Sequence, residues 1–265
     1  MNRFVVFTDL DGTLLDHDTY DWQAARPALK RLRETKTPLI MVSSKTRVEI
    51  EALRTVLGNQ DPFIPENGGA IFVPSDYHLD LPPEARIFDG YKVILLGRCR
   101  ADLTALVDHL CAGLPVRALS HMDPAQIAEL TGLTISQAEG ARNREFGETF
   151  ILDDPGFPES ELFAAVHAVG LRLTKGGRFY HLLGENDKGR ATEWLIRLFR
   201  MKDPDIVTAA CGDAPNDEPM LAAVDRAFLV AGPDGNHRSM ELPGLTRIPQ
   251  PGPAGFNQAI LKLFQ

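Results

Sequence analysis

Two aspartates, Asp9 and Asp11, follow the apolar run 4–7 and precede Gly12, in the segment FVVFTDLDGT. Residues two apart on an extended chain point the same way, so both carboxyl groups can face one partner, and Gly12 lets the backbone turn tightly. Two carboxylates held together repel each other, which favours a divalent cation that prefers oxygen ligands. An aspartate-rich turn that simply ends a strand is the alternative interpretation.

Three further segments place polar side chains at or near the ends of predicted elements. Ser43 ends an apolar run and offers a hydroxyl to a phosphate oxygen, although Ser43-Ser44 also fits a turn or a helix cap. Lys188 could hold a nucleophile and a phosphate as a point charge, although it also fits a solvated helix residue. Asp213 and Asp217 follow another apolar run and also fit caps of the next helix. Four such segments in one chain favour a single site built from all of them.

Apolar runs and helical patterns alternate over residues 1–82 and again over residues 185–265. The runs 39–42 and 206–210 are typical of strands buried on both faces, and Thr46 with Glu49 has the spacing of a capping box. This alternation predicts an α/β fold, with a Rossmann-like, doubly wound parallel sheet. Ligands bind such sheets outside the carboxyl ends of the strands.

The pattern changes after residue 73, where Pro74, Pro82 and Pro83 interrupt the chain. We expect residues 83–184 to form an inserted α+β module, a cap. Helical spacing occurs at 101–112 and 159–169. The strands predicted within the insert are 93–96, 149–152, 171–174 and 179–183.

The composition excludes several classes of protein. Of 265 residues, 44% are hydrophobic and 24% charged, which is typical of a globular rather than a disordered chain. The formal net charge of −8 opposes a broad nucleic-acid or anionic-membrane surface, so we expect neither as a partner. An anionic substrate must therefore meet a metal ion or a few placed cations.

The cysteines and the N-terminal segment predict a cytoplasmic protein. Cys99, Cys111 and Cys211 cannot all pair within one chain and lack metal-ligand spacing, which indicates a reducing compartment. The N-terminal segment lacks the apolar region of a signal peptide, and no apolar run approaches the roughly 20 residues that cross a bilayer. The oligomeric state stays open.

The order of these motifs resembles the haloacid dehalogenase superfamily of phosphatases. The resemblance lies in the nucleophile loop 9–13, Ser43, Lys188 and the Gly-Asp-x-x-Asn-Asp loop 212–217. It implies a Rossmann-like core with a C2-type cap, and Mg²⁺ as cofactor. The implied catalytic residues are Asp9 as nucleophile, Asp11 as general acid and base, Ser43 and Lys188. The implied metal site comprises Asp9, Asp11 through its backbone carbonyl, Asp213 and a supporting Asp217.

The chain more closely resembles the mannosyl-3-phosphoglycerate phosphatases. The shared segments are 43–46 (SSKT), 66–70 (ENGGA), 144–148 (REFGE) and 176–181 (GGRFYH). This likeness implies removal of phosphate from 2-O-mannosyl-3-phosphoglycerate, a phosphorylated glycoside of low molecular weight. The implied substrate-binding residues are Ser44, Lys45, Glu66, Asn67, Gly68, Arg144, Arg178, His181 and Asn216.

Within that set, Arg144 and Arg178 are expected to meet the substrate carboxylate, because the planar fork of arginine suits it. His181 would assist them, and Glu66 and Asn67 would face sugar hydroxyls. The alternative is that these residues only fold the cap.

Other functions fit the same motifs. A broader sugar-phosphate phosphatase would prefer hexose phosphates, and a phosphosugar mutase would return the phosphoryl group to another hydroxyl, which product analysis detects. A non-catalytic ligand-binding protein on this fold is a third alternative. Such a protein need not retain Asp9, Asp11, Ser43, Lys188 and Asp213 together.

Overall fold

The computed structural model of the chain describes residues 3–176 and 179–265. The strands are, in chain order, β1 (Phe4–Thr8), β2 (Leu39–Val42), β3 (Phe63–Ile64), β4 (Ala70–Pro74), β5 (Arg86–Phe88), β6 (Tyr91–Leu95), β7 (Val116–Ala118), β8 (Glu148–Leu152), β9 (Arg172–Gly176), β10 (Phe179–Leu183), β11 (Val207–Gly212), β12 (Arg226–Ala231) and β13 (Thr246–Pro251). The α-helices are α1 (Arg26–Glu34), α2 (Arg47–Leu57), α3 (Thr104–Gly113), α4 (Pro124–Thr131), α5 (Ile135–Arg142), α6 (Glu159–Ala168), α7 (Lys188–Lys202), α8 (Glu218–Ala222) and α9 (Gly252–Leu263). Within the described part of the chain, none of these helices is long and apolar enough to cross a membrane.

The larger sheet has the strand order β13-β12-β11-β1-β2-β3-β4-β6-β5. β1 lies between β11 and β2 and runs parallel to both, with Phe7 beside Ala210 and Ile40. Apolar side chains on the two faces pack against α1, α2 and α9 on one side and α7 and α8 on the other. The predicted α/β fold is confirmed, and the carboxyl ends of β1, β2 and β11 meet at one edge.

The smaller sheet is antiparallel, with the order β7-β8-β10-β9. Phe150 and Leu182 pack on one face against apolar residues of α3 and α6. On the other side, Ile151 packs with Ile127 of α4 and Ala138 of α5. This sheet and its helices form the α+β insert that the sequence predicts.

One expected boundary is wrong. The sequence pattern assigns residues 93–96 to a strand of the insert, but β6 pairs with β4 in the larger sheet, with Val93 beside Phe72. Val93 and Ile94 pack into the two clusters that cover that sheet, so the hairpin of β5 and β6 extends the sheet past residue 82. We therefore call residues 96–184 the insert.

Several elements lack a counterpart in the sequence prediction. The helices α4 and α5 each begin with a capping box, at Asp123 with Gln126 and at Thr134 with Gln137, so the sequence does carry a signal for them. β13 contains Pro249, and its sequence is typical of a turn. It forms an edge strand, where proline is tolerated.

Candidate active site

The turn after β1 carries Asp9 and Asp11 to the carboxyl edge of the larger sheet. The Asp9 backbone N–H donates to the Cys211 carbonyl oxygen at 3.0 Å, so Asp9 stays tied to β11. Gly12 has a φ of 81°, and a Cβ at this position would lie 2.7 Å from Asp213 Oδ2. The glycine therefore permits both the turn and the close approach of the loop after β11.

Lys188, the first residue of α7, joins two acidic side chains. Its Nζ donates to Asp9 Oδ1 and to Asp217 Oδ1, each at 2.6 Å, and the side chain is 1% exposed. Burial disfavours the charged form of Lys188, but the carboxylates of Asp217 and Asp9 outweigh it and raise the lysine pKa above its ordinary value. The ammonium group therefore stays charged and holds Asp9 in place.

The loop after β11 brings Asp213 and Asp217 to the same place. Thr13 Oγ1 donates to Asp213 Oδ1 at 2.9 Å, and Asp217 Oδ2 accepts the backbone N–H groups of Asp213 and Ala214 at 3.0 and 3.1 Å. Burial and the charge of Asp217 raise the pKa of Asp213 to about 7. Burial and the same neighbour also raise the pKa of Asp9 well above its usual range. Negative charge is thus crowded beyond what Lys188 neutralises.

This cluster fits a magnesium ion. Asp9, Asp213 and Asp217 each offer a carboxylate oxygen, and these atoms lie within 4.8 Å of one another. A donor set made only of carboxylate oxygens suits a hard divalent cation. Both oxygens of Asp217 already accept hydrogen bonds, which suits a residue that supports the metal site.

A cavity of about 430 Å³ opens beside the carboxylates. At one end it is lined by Asp9, Asp11, Asp213 and Asn216, and at the other by residues of the insert. The insert's polar lining includes Arg144, Thr149 and His181, and its apolar lining includes Leu119, Leu133 and Phe179. With a cation bound to the carboxylates, the cavity could hold one molecule with an anionic group at the carboxylate end and a polar body beside the insert.

Comparison with known proteins identifies the family. Residues 6–82 match the model of the haloacid dehalogenase-like hydrolases. A protein of Methanococcoides burtonii named glucosyl-3-phosphoglycerate/mannosyl-3-phosphoglycerate phosphatase is 40% identical over 264 residues, which cover 98% of this chain and 97% of that protein. The chain belongs to this family of phosphatases, within the haloacid dehalogenase-like hydrolases.

Two further similarities agree with that assignment. A phosphatase of the same name from Persephonella marina is 36% identical over 264 residues, which cover 98% of this chain and 96% of the relative. The sucrose-phosphatase of Synechocystis, solved with sucrose and phosphate, has a TM-score of 0.65 at 15% identity and covers 100% of this chain and 99% of its own. The first likeness is one of family, and the second shows a shared fold.

In this phosphatase, Asp11 is separate from the carboxylate cluster. Its Oδ2 lies 3.0 Å from Lys45 Nζ, and the ammonium group of Lys45 also lies 3.6 Å from Glu49 and 4.7 Å from the ring centroid of Tyr20. Burial raises the pKa of Asp11 above its usual range, against the opposing charge of Lys45. A carboxyl group that keeps its proton more readily is suited to act as an acid.

The two serines after β2 differ in their surroundings. Ser43 is 1% exposed, and its Oγ accepts the Lys45 N–H at 3.1 Å. Ser44 lines the cavity, and its carbonyl oxygen accepts a hydrogen bond from Arg144 Nη2 at 2.9 Å. The structure thus brings Ser44, Lys45 and Arg144 together at the cavity, whereas Ser43 is not among the described residues that line it.

His181 lies in the cavity wall as a neutral imidazole. Its Nδ1 is 3.1 Å from Thr149 Oγ1 on the neighbouring strand β8. Burial, with the charges of Arg144 and Lys188, lowers the histidine pKa to about 3. The ring is therefore a hydrogen-bonding group rather than a cation at neutral pH. Arg178, the other arginine expected here, lies outside the described residues.

Glu66, Asn67 and Gly68 are not among the described residues that line the cavity. Glu66 is fully buried, and its carboxylate accepts backbone N–H groups of the insert. Asn67 Oδ1 accepts a 3.4 Å hydrogen bond from Asn216 Nδ2, so Asn67 reaches the cavity only through Asn216. Gly68 has a φ of 90°, and a Cβ there would collide with the carbonyl oxygen of Asp187. Glu66 and Asn67 contact neighbouring residues instead of facing the cavity, and Gly68 allows the close approach of the Asp187 backbone.

Several described cavity residues are absent from the set that the sequence predicts, and Thr149 and Tyr20 are two that contact predicted ones. Thr149 holds His181, and its place next to the family segment 144–148 is an available signal. Tyr20, whose ring lies below the Lys45 ammonium group, comes from an acidic turn without any pattern that singles it out.

Proposed function

We propose that this phosphatase hydrolyses 2-O-(α-D-mannosyl)-3-phosphoglycerate to mannosylglycerate and phosphate, in a Mg²⁺-dependent reaction. The observation that carries the proposal is one cavity with Asp9 and Asp213 of the carboxylate cluster at one end, where Lys188 contacts Asp9, and Arg144 and His181 at the other. The first end suits a phosphate with its metal ion, and the second suits a carboxylate and hydroxyl groups. The relatives' names, which specify glucosyl- and mannosyl-3-phosphoglycerate, support this choice of substrate.

Asp9 acts as the nucleophile. One of its carboxylate oxygens attacks phosphorus, the bond from phosphorus to the glycerate oxygen breaks, and an aspartyl-phosphate forms. The contact from Lys188 orients Asp9 and opposes the protonation that burial favours, because an ammonium group at 2.6 Å favours the carboxylate.

Asp11 moves the protons. It gives its proton to the departing glycerate oxygen, since an alkoxide is a poor leaving group. It then takes a proton from the water that attacks the aspartyl-phosphate, which releases phosphate and restores Asp9. The raised pKa of Asp11 supports the first of these steps.

Asp9, Asp213 and the backbone carbonyl of Asp11 would hold Mg²⁺, with Asp217 and Asn216 supporting them. The bound ion would neutralise the charge of the phosphate oxygens and align the attack. Ser43 and Lys188 would act on the phosphate, while Lys45, Arg144, Arg178 and His181 would bind the remainder of the substrate. We also propose a cytoplasmic location, which the three free cysteines support.

Phosphate release from a panel of esters tests the proposal. We expect mannosyl- and glucosyl-3-phosphoglycerate to have a kcat/KM at least about 100-fold above those of 3-phosphoglycerate and hexose phosphates, and activity to vanish on chelation and return with Mg²⁺. A preference for hexose phosphates would overturn the substrate, and full activity in chelator would overturn the metal requirement.

Substitution of the two aspartates tests the mechanism. Asp9→Asn should lower kcat by at least about 1,000-fold, because no nucleophile remains. Asp11→Asn should lower kcat about 100-fold or more while Mg²⁺ affinity, measured by titration calorimetry, stays within about threefold. Full activity in the Asp9→Asn variant would end the assignment of the nucleophile.

A further inference from the structure

Glu66, in the turn between β3 and β4, contacts the backbone of the insert and is not among the described residues that line the cavity. Its Oε1 accepts the Glu145 N–H at 2.7 Å, and its Oε2 accepts the Phe146 N–H at 3.2 Å. The same Oε2 lies 3.2 Å from Arg144 Nε. One carboxylate of the larger sheet thus contacts three consecutive residues of the insert.

Arg144 is held from two sides at the cavity wall. Besides the ion pair with Glu66, its Nη2 donates to the Ser44 carbonyl oxygen at 2.9 Å. No described residue bonds its remaining terminal nitrogen, Nη1. The side chain is 5% exposed, yet Arg144 lines the same cavity as Asp9 and Asp11.

The segment that carries Arg144 has little freedom to shift. Gly69 has no side chain where Phe146 lies, and a Cβ there would overlap the phenylalanine. Without Glu66, the backbone N–H groups of Glu145 and Phe146 would lose their acceptors inside the protein, which is costly. The turn that contains Glu66 and Gly69 therefore supplies the acceptor for two backbone N–H groups, the counter-charge for Arg144 and the space for Phe146.

We infer that Glu66 is a positioning residue that holds Arg144 against the cavity, and that this pair selects phosphate esters whose alcohol carries a carboxylate. The inference rests on the proposed function, because the alcohol there is a glycerate. Glu66 neutralises the buried guanidinium and the Ser44 carbonyl oxygen accepts from its Nη2, which leaves Nη1 to donate to a carboxylate oxygen. An ester without that second anion gains nothing from the arrangement.

The test compares 2-O-mannosyl-3-phosphoglycerate with its reduced analogue 2-O-mannosylglycerol 3-phosphate, in which a hydroxymethyl group replaces the carboxylate. Arg144→Met should raise KM for the first about 30-fold and for the second less than about threefold. Glu66→Gln should raise KM for the carboxylate substrate about tenfold with kcat within about threefold. The double variant should be no worse than Arg144→Met, since Glu66 acts through Arg144.

Glu145→Gln is the matched control, because this glutamate lies on the same segment but pairs with Arg47 at 3.0 Å. Both KM values should stay within about twofold in the control variant. Equal losses on both substrates in Glu66→Gln, or additive losses in the double variant, would overturn the inference. If Glu66→Gln does not fold by circular dichroism, Glu66→Asp keeps the charge on a shorter side chain. Its ratio of kcat/KM between the two substrates should fall about threefold, and an unchanged ratio would contradict us.

Failure of the proposed function gives a different result. If the unaltered enzyme cleaves neither mannosyl substrate, the proposed substrate is wrong. The same variants then compare 3-phosphoglycerate with glycerol 3-phosphate, which still differ only in the carboxylate. A preference for 3-phosphoglycerate that disappears in Arg144→Met and Glu66→Gln would keep the inference, and equal effects on both esters would overturn it.

Discussion

At position 12, both the backbone conformation and the close approach of Asp213 require a glycine. A φ of 81° is unfavourable for any residue with a Cβ, and a Cβ here would also lie 2.7 Å from the Asp213 carboxylate. Gly58, which ends α2, has a φ of 63°, and a Cβ added there would meet no described atom within 4 Å. Both glycines have a positive φ, but only at Gly12 would a Cβ also contact the Asp213 carboxylate.

Gly12→Ala should therefore damage both stability and catalysis. We expect a loss of about 1–2 kcal/mol in the free energy of unfolding, and a fall of about 100-fold in kcat/KM because the Asp213 loop is displaced. Gly58→Ala is the control, with a comparable loss of stability and unchanged kinetics. Urea unfolding and phosphate release measure the two effects, and an equal kinetic effect in both variants would contradict the role given to the contact.

The burial of His181 should make stability depend on pH. The pKa of the histidine is about 3 in the fold against an ordinary value of 6.5, so the unfolded chain takes up a proton that the folded chain resists. The stabilisation is complete above pH 6.5 and is lost as pH falls toward 3. The unfolding free energy of the unaltered protein, relative to that of His181→Asn, should fall by about 1.4 kcal/mol per pH unit between pH 6 and 4. Urea unfolding at several pH values measures this difference, and parallel curves would refute it.

The residue types in the sequence are enough to predict the residues of the carboxylate cluster, but they do not predict the role of every site residue. Asp9, Asp213 and Lys188 could be predicted because carboxylates and a lysine near strand and helix ends have few other uses together. The role of Glu66 could not, because a glutamate beside Asn67 looks the same whether it faces a sugar or the backbone of the insert. Only the packing of the insert on the larger sheet decides between these roles.

Among the elements, α2 links the catalytic edge to the insert. Its N-cap, Thr46, accepts the Glu49 N–H in a capping box, and Thr46 Oγ1 lies 3.0 Å from the Gly140 carbonyl oxygen at the end of α5. The box itself is visible in the sequence. The contact with Gly140 is not, since it joins residues 94 positions apart.

Thr46→Ala should cost more than loss of an ordinary helix cap. We expect about 2 kcal/mol of unfolding free energy, against about 1 kcal/mol for Thr134→Ala, whose capping box at α5 is exposed. Because Lys45 precedes this cap, kcat/KM should also fall severalfold in the first variant only. Thr46→Ser keeps the hydroxyl and should restore both values, and equal costs at the two caps would show that the Gly140 contact contributes nothing.

The positions of proline and glycine in the sequence predict where helices and strands end better than they predict where the insert begins. Pro82 and Pro83 do interrupt the chain, but they precede a hairpin whose turn at Asp89 and Gly90 has positive φ at both residues. The hairpin joins the larger sheet because Val93 and Ile94 have apolar partners there. A local break in the chain therefore does not coincide with the change of sheet.

The molecule as a whole has a formal net charge of −8, so an anionic substrate needs local positive charge at the cavity. Lys45, Arg144 and Lys188 all lie at or beside the cavity, but each is paired with a carboxylate. Among the described residues, these cations already have carboxylate partners, so a bound divalent cation would add the positive charge that a phosphate group needs.

Mg²⁺ should therefore stabilise the folded protein. At a concentration 100-fold above its Kd, the ion should add about 2.7 kcal/mol to the free energy of unfolding, and chelation should remove this gain. Asp213→Asn should abolish the gain. At pH 8 without metal it should be at least as stable as the unaltered protein, because a group with a pKa of about 7 loses its stabilisation as pH rises through that value.

Asp234→Asn, in an exposed turn where Asp234 lies 3.8 Å from Arg238, is the control and should keep the full gain. Thermal unfolding with and without Mg²⁺ measures all three proteins. A gain that persists in Asp213→Asn would exclude the carboxylate cluster as the site of binding.

The placement of β1 between β2 and β11 has a consequence for the newly made chain. Thr13 and Asp213 are 200 positions apart, and Asp9 and Lys188 are 179 apart, so a ribosome makes Asp9 and Thr13 long before their hydrogen-bond partners exist. Until β11 emerges, one side of β1 is an open edge that invites pairing with other chains. A growing polypeptide therefore lacks Asp213 and exposes this edge of β1 until β11 and the residue after it have been made.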